Sequence, residues 1–104
     1  MEKLTNDTFP NFILQSGLSV IKVGAAWCGP CKVVEPILIR VNEKMGDVNI
    51  AEIDAETEND LSNTLSVRNI PTTIFYKNGE EIDRHIGAFS ESLITELIEK
   101  NKQF

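Results

Sequence analysis

Val20-Ile21-Lys22-Val23-Gly24-Ala25-Ala26-Trp27-Cys28-Gly29-Pro30-Cys31-Lys32 carries a short apolar run straight into two cysteines. Val20 to Val23, interrupted only by Lys22, reads as a buried strand. Beyond the cysteines, Val34, Ile37, Leu38, Val41 and Met45 recur at spacings of three and four, which is one face of a helix, and Gly46 stands just past its end. Pro30 suits a helix start, where its missing N–H would be unpaired anyway. Pro36 lies inside the helix and is expected to kink it. Upstream, Asn6 or Asp7 is placed to cap a short helix bearing Phe9, Phe12 and Ile13, ended by Gly17. Downstream, Val48, Ile50 and Ile53 mark a second strand whose alternation slips, and Leu61 and Leu65 a helical piece beginning near Thr57.

The C-terminal half has a different pattern. Thr72-Thr73-Ile74-Phe75-Tyr76 is β-branched and aromatic, and Asn78-Gly79 is a strong hairpin signal leading to a partner strand with Ile82 and Ile86 on one face. Ser90 then caps a last helix with Leu93, Ile94, Leu97 and Ile98 along one side. A short strand around Lys3 to Thr5 can precede the whole series. Crossover helices require parallel strands in the first half, and the tight turn requires an antiparallel pair in the second. The expectation is a mixed sheet covered by helices, in one domain over residues 1–104.

Composition narrows the functional classes. With 41% hydrophobic and 25% charged residues the chain has the make-up of an ordinary soluble globular protein. No apolar run approaches the roughly 20 residues of a membrane helix, and the N-terminal residues lack the basic-then-apolar order of a secretory signal. A formal net charge of −6 repels a phosphate backbone and favours a monomer. The expectation is therefore an intracellular protein with neither nucleic acid nor membrane as partner. The only two cysteines and one histidine, His85, fall short of the four ligands of a zinc site. His85 is expected at the surface, opposite the Ile82 and Ile86 face. The acidic stretch Asp54 to Glu58 is expected to be a solvated helix start.

A Cys-x-x-Cys pair at the mouth of a helix suits two-electron exchange. Unsatisfied N–H groups and the positive end of the helix dipole favour the thiolate, the form that attacks a disulfide. Cys28, just before the helix, is the expected nucleophile, and Cys31, one turn on, the thiol that releases the product. Lys32 is expected to be solvated. An inert structural pair is the competing reading of the spacing alone.

Trp27-Cys28-Gly29-Pro30-Cys31-Lys32 resembles the active-site signature of the thioredoxin family letter for letter. Ala51, Ile70-Pro71-Thr72, Phe75, Asn78-Gly79 and Gly87 match in the family's order, so the resemblance covers essentially the whole chain. It implies the thioredoxin fold, a central mixed sheet of four to five strands flanked by four α-helices. It also implies cytoplasmic reduction of disulfide-containing client proteins without a cofactor, and recharging by a thioredoxin reductase. By the same resemblance, Pro71 follows a cis peptide bond facing the cysteines. Trp27, Gly29, Pro30, Ile70, Pro71, Gly87 and Ala88 would then surround a substrate groove. Core packing is the competing reading for Trp27, and a strand-end bulge for Gly87.

Two departures from the family pattern stand out. Lys22 occupies the position of the usual buried aspartate, and Glu52 that of the usual lysine in the neighbouring strand. A buried charge must be paired, so a joint exchange is expected to put Lys22 beside Glu52 beneath the cysteines. Exposure of both side chains is the alternative. Since lysine is ordinarily charged at neutral pH, Glu52 becomes the candidate general base, and Lys22 favours thiolate and a more oxidising couple. Gly24 stands where relatives carry a large aromatic residue, leaving the site beneath Trp27 looser or filled by another side chain such as Phe12. Three functions fit these residues: a disulfide reductase, a disulfide donor or isomerase, and a binding platform whose dithiol is incidental. The intact Cys28–Cys31, Trp27 and Ile70-Pro71 set favours the first.

Overall fold

The structure, a computed structural model, describes all 104 residues. Its chain order is β1 (Glu2–Lys3), α1 (Phe9–Ile13), β2 (Leu18–Gly24), α2 (Gly29–Lys44), β3 (Val48–Asp54), α3 (Asn59–Thr64), β4 (Thr72–Lys77), β5 (Glu80–Ile86) and α4 (Glu91–Lys102). The five strands form one sheet in the order β1-β3-β2-β4-β5. β1, β3 and β2 are parallel, whereas β4 runs antiparallel to both β2 and β5. The expected mixed sheet with four helices is what forms.

Helices cover both faces, which is why β2 is buried at all seven positions and reads as a continuous run rather than an alternating one. Leu18, Val20, Val48, Ile50 and Phe75 pack with Val34, Leu38 and Val41 of α2 and Ile94 and Ile98 of α4. Ile21, Val23, Ala51, Ile53 and Ile74 pack on the opposite side with Phe9 and Phe12 of α1 and Leu61 of α3. The slip between Ile50 and Ile53 is thereby explained: successive apolar residues of β3 serve opposite cores. Phe75, fully buried at the centre, is a side chain whose truncation to alanine costs about 3–5 kcal/mol.

Local signals hold with some corrections. Asn78 and Gly79 both take positive φ, 54° and 84°, as the two central residues of a two-residue hairpin of this hand require. Ser90 Oγ accepts from the Leu93 N–H at 3.1 Å and caps α4. Thr8, not Asn6 or Asp7, is the N-cap of α1, because Thr5 and Thr8 bond each other and draw the intervening residues into a turn. α1 stops at Ile13, and Gly17, at φ 86°, serves the bend into β2. α3 begins at Asn59, the acidic residues before it being held in a turn by the Asp54 carboxylate on the Glu56 N–H. α2 continues through Pro36 to Lys44. Ile82 and Ile86 do not share a buried face: a β-bulge opposite Phe75 and Tyr76 breaks the alternation, so Ile82 packs on the α2–α4 core while Ile86 is 60% exposed. His85 is half-buried rather than a surface residue, its ring edge-on to Phe89 and its Nε2 3.1 Å from the Ala88 carbonyl oxygen.

Candidate active site

The chain leaves β2 at Gly24, crosses Ala25 to Trp27, and enters α2 with Cys28 as its N-cap. Cys28 keeps an extended backbone (φ −86°, ψ 114°), which aims its sulfur back at the helix. Cys28 Sγ accepts from the Cys31 N–H at 3.2 Å, so one of the unpaired donors of the first turn is spent on the sulfur. Cys28 and Cys31 form a disulfide, their Cα atoms 5.3 Å apart. They are 4% and 2% exposed and pack on Ala25, with Ile70 alongside.

Of the expected groove residues, Ile70 packs beside this pair, and Trp27, Gly29 and Pro30 adjoin it along the chain. Trp27 is 68% exposed, which disposes of its reading as a core residue. Gly29 and Pro30 lie exposed on the first turn of α2. The Ile70–Pro71 bond is cis, and the Ile70 carbonyl oxygen lies 3.8 Å from Cys28 Sγ. Gly87, at φ 99°, donates its N–H to the Pro71 carbonyl at 2.8 Å. That bond ties the end of β5 to the start of β4, and Ala88 beyond it is exposed.

Beneath the pair, parallel pairing of β2 with β3 sets Lys22 directly opposite Glu52. Lys22 Nζ lies 3.1 Å from Glu52 Oε1, with side-chain exposures of 5% and 14%, so the exchanged charges form an ion pair in which Lys22 is buried and Glu52 largely so. Thr73 of β4 flanks Lys22 on the other side, fully buried, its hydroxyl without a partner in the protein. A cleft of about 250 Å³ opens over these charges, and Lys22, Gly24, Cys31, Glu35 and Glu52 line it. Lys32 is exposed at its edge. Phe12 does not fill the space at Gly24, because it belongs to the core on the other side of the sheet. Glu35 and Thr73 were missed from sequence: Glu35 follows Cys31 by four positions, a spacing that shares one helix face, and Thr73 looked like ordinary strand filling. No group of three or more histidine, cysteine or acidic side chains is arranged to hold a metal ion, and no helix is long and apolar enough to cross a membrane.

A buried disulfide at a helix N-terminus, packed on Ala25 and Ile70 with an ion pair lining the cleft beside it, can cycle between disulfide and dithiol. The chain is similar to known proteins. The profile of the family described as Thioredoxin matches residues 1–100. The chain is similar to the thioredoxin of Coprinus comatus, 35% identical over 97 residues and covering 91% of each chain. It is similar to that of Chlamydia pneumoniae, 34% identical over 98 residues, 94% of this chain and 95% of the relative. The crystal structure of oxidized mitochondrial thioredoxin 3 from Saccharomyces cerevisiae superposes with a TM-score of 0.87 at 34% identity, covering 96% of this chain and 94% of that one.

Proposed function

This chain belongs to the thioredoxin family and is a thiol–disulfide oxidoreductase, and from that premise we propose that it reduces client disulfides with Cys28 as nucleophile and Cys31 as resolving thiol. The observation that carries the assignment of roles is the asymmetry of the pair: Cys28 sits at the helix N-cap under the groove, whereas Cys31 sits deeper, beside the cleft.

In the dithiol form the Cys31 N–H and the dipole of α2 stabilise negative charge on Cys28 Sγ. A client segment lies along Trp27, Pro30, Ile70 and Ala88, where the rim excludes water and offers the backbone around Pro71 as a strand-like edge. Cys28 attacks one client sulfur, the client disulfide breaks, and the second client sulfur leaves as a thiolate. Cys31 then attacks Cys28 Sγ and expels the first. Glu52 is the proposed acceptor of the Cys31 proton across the cleft, and Lys22, paired with it at 3.1 Å, holds its side chain in place. The Cys28–Cys31 disulfide left by the cycle takes two electrons, with two protons, from a reductase partner, as the family implies.

The whole of 1–104 acts as one unit in this reading, a monomer in the cytoplasm with no bound cofactor. A reducing compartment is what keeps such a pair in its dithiol form. The test is turnover of a disulfide-bonded protein substrate with dithiothreitol as electron source. Cys28→Ser should abolish reduction and form no adduct. Cys31→Ser should stop after one step, holding the client covalently on Cys28. An adduct formed through Cys31 in the Cys28→Ser variant, with none in the other, would reverse the assignment.

A further inference from the structure

Arg84 reaches from the edge strand to the segment that leads into the cis proline. In a regular strand Glu81 and Arg84, three residues apart, would point to opposite faces. Ile82 is the extra residue of the β5 bulge, since Phe75 pairs with Asp83 and Tyr76 with Glu81. The bulge therefore puts Glu81 and Arg84 on one face, across from Tyr76 and Ile74, which both belong to the α1–α3 core. The Arg84 guanidinium donates to both Glu81 carboxylate oxygens, each at 2.8 Å. It also donates from Nη2 to the Leu65 carbonyl at 2.8 Å and from Nη1 to the Ser66 carbonyl at 3.3 Å. Leu65 is the C-cap of α3, and Ser66 beyond it stands at φ 58°, a left-handed conformation that a serine keeps only where its surroundings hold it. Val67, Arg68 and Asn69 then lead to Ile70, and Thr72 Oγ1 ties this far end by donating to the Asn69 carbonyl at 2.6 Å.

We infer that Arg84 is a positioning residue for the client groove: steadied by Glu81, its guanidinium holds the end of α3 so that the 66–70 segment presents Ile70 and the Pro71 backbone to a protein client. The inference rests on the reading of the groove given above and adds a residue of β5 that lies outside it. Neither Glu81 nor Arg84 borders the disulfide, whose packing partners are Ala25 and Ile70. Removing the guanidinium leaves the Leu65 and Ser66 carbonyls without its donors, and the strain at Ser66 then favours release of the segment. A charge-assisted bond of this kind shifts a local equilibrium by about tenfold or more, so the segment is expected to be client-ready about a tenth of the time. A groove competent for that fraction raises the apparent KM for a protein client about tenfold and leaves kcat unchanged. A small disulfide reacts at Cys28 without lying along this backbone.

The experiment compares Arg84→Met with the parent on two substrates, well below the melting temperature of either chain. With insulin as the protein disulfide and dithiothreitol as electron source, KM should rise about tenfold and kcat stay within about twofold. With a small aromatic disulfide, rapid mixing with the reduced protein should give rates within about twofold of the parent's. Arg40→Met removes one positive charge from an exposed ion pair with Glu91 and is the control; it should match the parent on both substrates. Limited trypsin digestion of the oxidised protein reads the segment itself, because Arg68 is exposed within it. First cleavage after Arg68, giving fragments 1–68 and 69–104, should be about tenfold faster in Arg84→Met. Equal losses on insulin and the small disulfide, an unchanged KM for insulin, or unchanged cleavage after Arg68 would each overturn the inference. A parent protein that reduces neither substrate would instead overturn the reading of Cys28 itself.

Discussion

The Lys22–Glu52 pair yields the sharpest prediction on stability. Lys22 is 4% exposed and its only partner is Glu52 Oε1 at 3.1 Å. Glu52→Gln would leave an ammonium in the interior with no counter-charge, a change that costs about 3–5 kcal/mol for a fully buried pair. The cleft gives Glu52 some contact with solvent, so a cost just below that range, about 2–3 kcal/mol, is expected here. In a domain of this size that corresponds to a fall of roughly 8–20 °C in Tm. Lys22→Met should cost a similar amount, since it strands a carboxylate. The double variant Lys22→Met, Glu52→Gln removes both charges and should lose far less than the two single losses together, giving a coupling of at least about 1 kcal/mol. The assay is urea unfolding of the oxidised protein at pH 7 for all four chains. Additive single effects below about 0.5 kcal/mol would refute the burial argument, because that is how a solvated surface pair behaves.

Three further outcomes follow from particular side chains. Burial, with the nearby Glu81 charge, pushes the Tyr76 phenol up to about 12, above its unfolded value near 10. Its contribution is therefore complete below pH 10 and is lost as pH rises toward 12, and Tyr76→Phe should flatten that alkaline limb of urea stability. The hydroxyl has no partner in the protein, so the same variant should be neutral or up to about 1–2 kcal/mol more stable at pH 7. For Asp83, burial opposes the charged form but is outweighed by hydrogen bonds from the Asn101 amide and the Arg84 N–H, with Lys100 nearby, so its carboxyl titrates below the ordinary value of 3.8. That contribution is present above about pH 4 and lost as pH falls through the depressed value; Asp83→Asn should be less stable at pH 7 and lose less on acidification, measured by thermal melts between pH 2 and 7. Lys22→Met should lower the reduction potential by about 30 mV or more, the equivalent of about 1.4 kcal/mol of lost thiolate stabilisation, and an unchanged potential would separate Lys22 from the sulfur chemistry.

Much of this was legible in the residues. The Cys28–Cys31 spacing between an apolar run and a helical stripe placed the pair at a helix mouth, and Asn78-Gly79 turned the last strands into a hairpin, because both signals are local. The Lys22–Glu52 contact was legible only through the family's usual charges at those positions. Periodicity alone would have left Lys22 as a flaw in a strand. Signals depending on three-dimensional neighbours were misread or missed. The bulge opposite Phe75 and Tyr76 reversed the alternation beyond Ile82, so Ile86 was assigned to the core and His85 to the surface. Gly24 registered as an absent aromatic side chain, and its nearness to Cys31 of α2, whose Sγ would lie 3.0 Å from a Cβ there, was not legible because it joins two elements. Thr8 displaced Asn6 and Asp7 as cap because the Thr5–Thr8 bonds set the turn, a choice that helix-start preferences leave open among polar residues.

The most direct test of the central claim is an equilibrium redox titration of the Cys28–Cys31 couple against dithiothreitol and glutathione buffers, read by thiol alkylation. A single reversible two-electron transition near about −270 mV, raised by no more than a few tens of millivolts by Lys22, is the expected result for a disulfide reductase. A midpoint at about −180 mV or higher would make the protein an oxidant or isomerase, and the absence of any reversible transition would contradict redox function altogether.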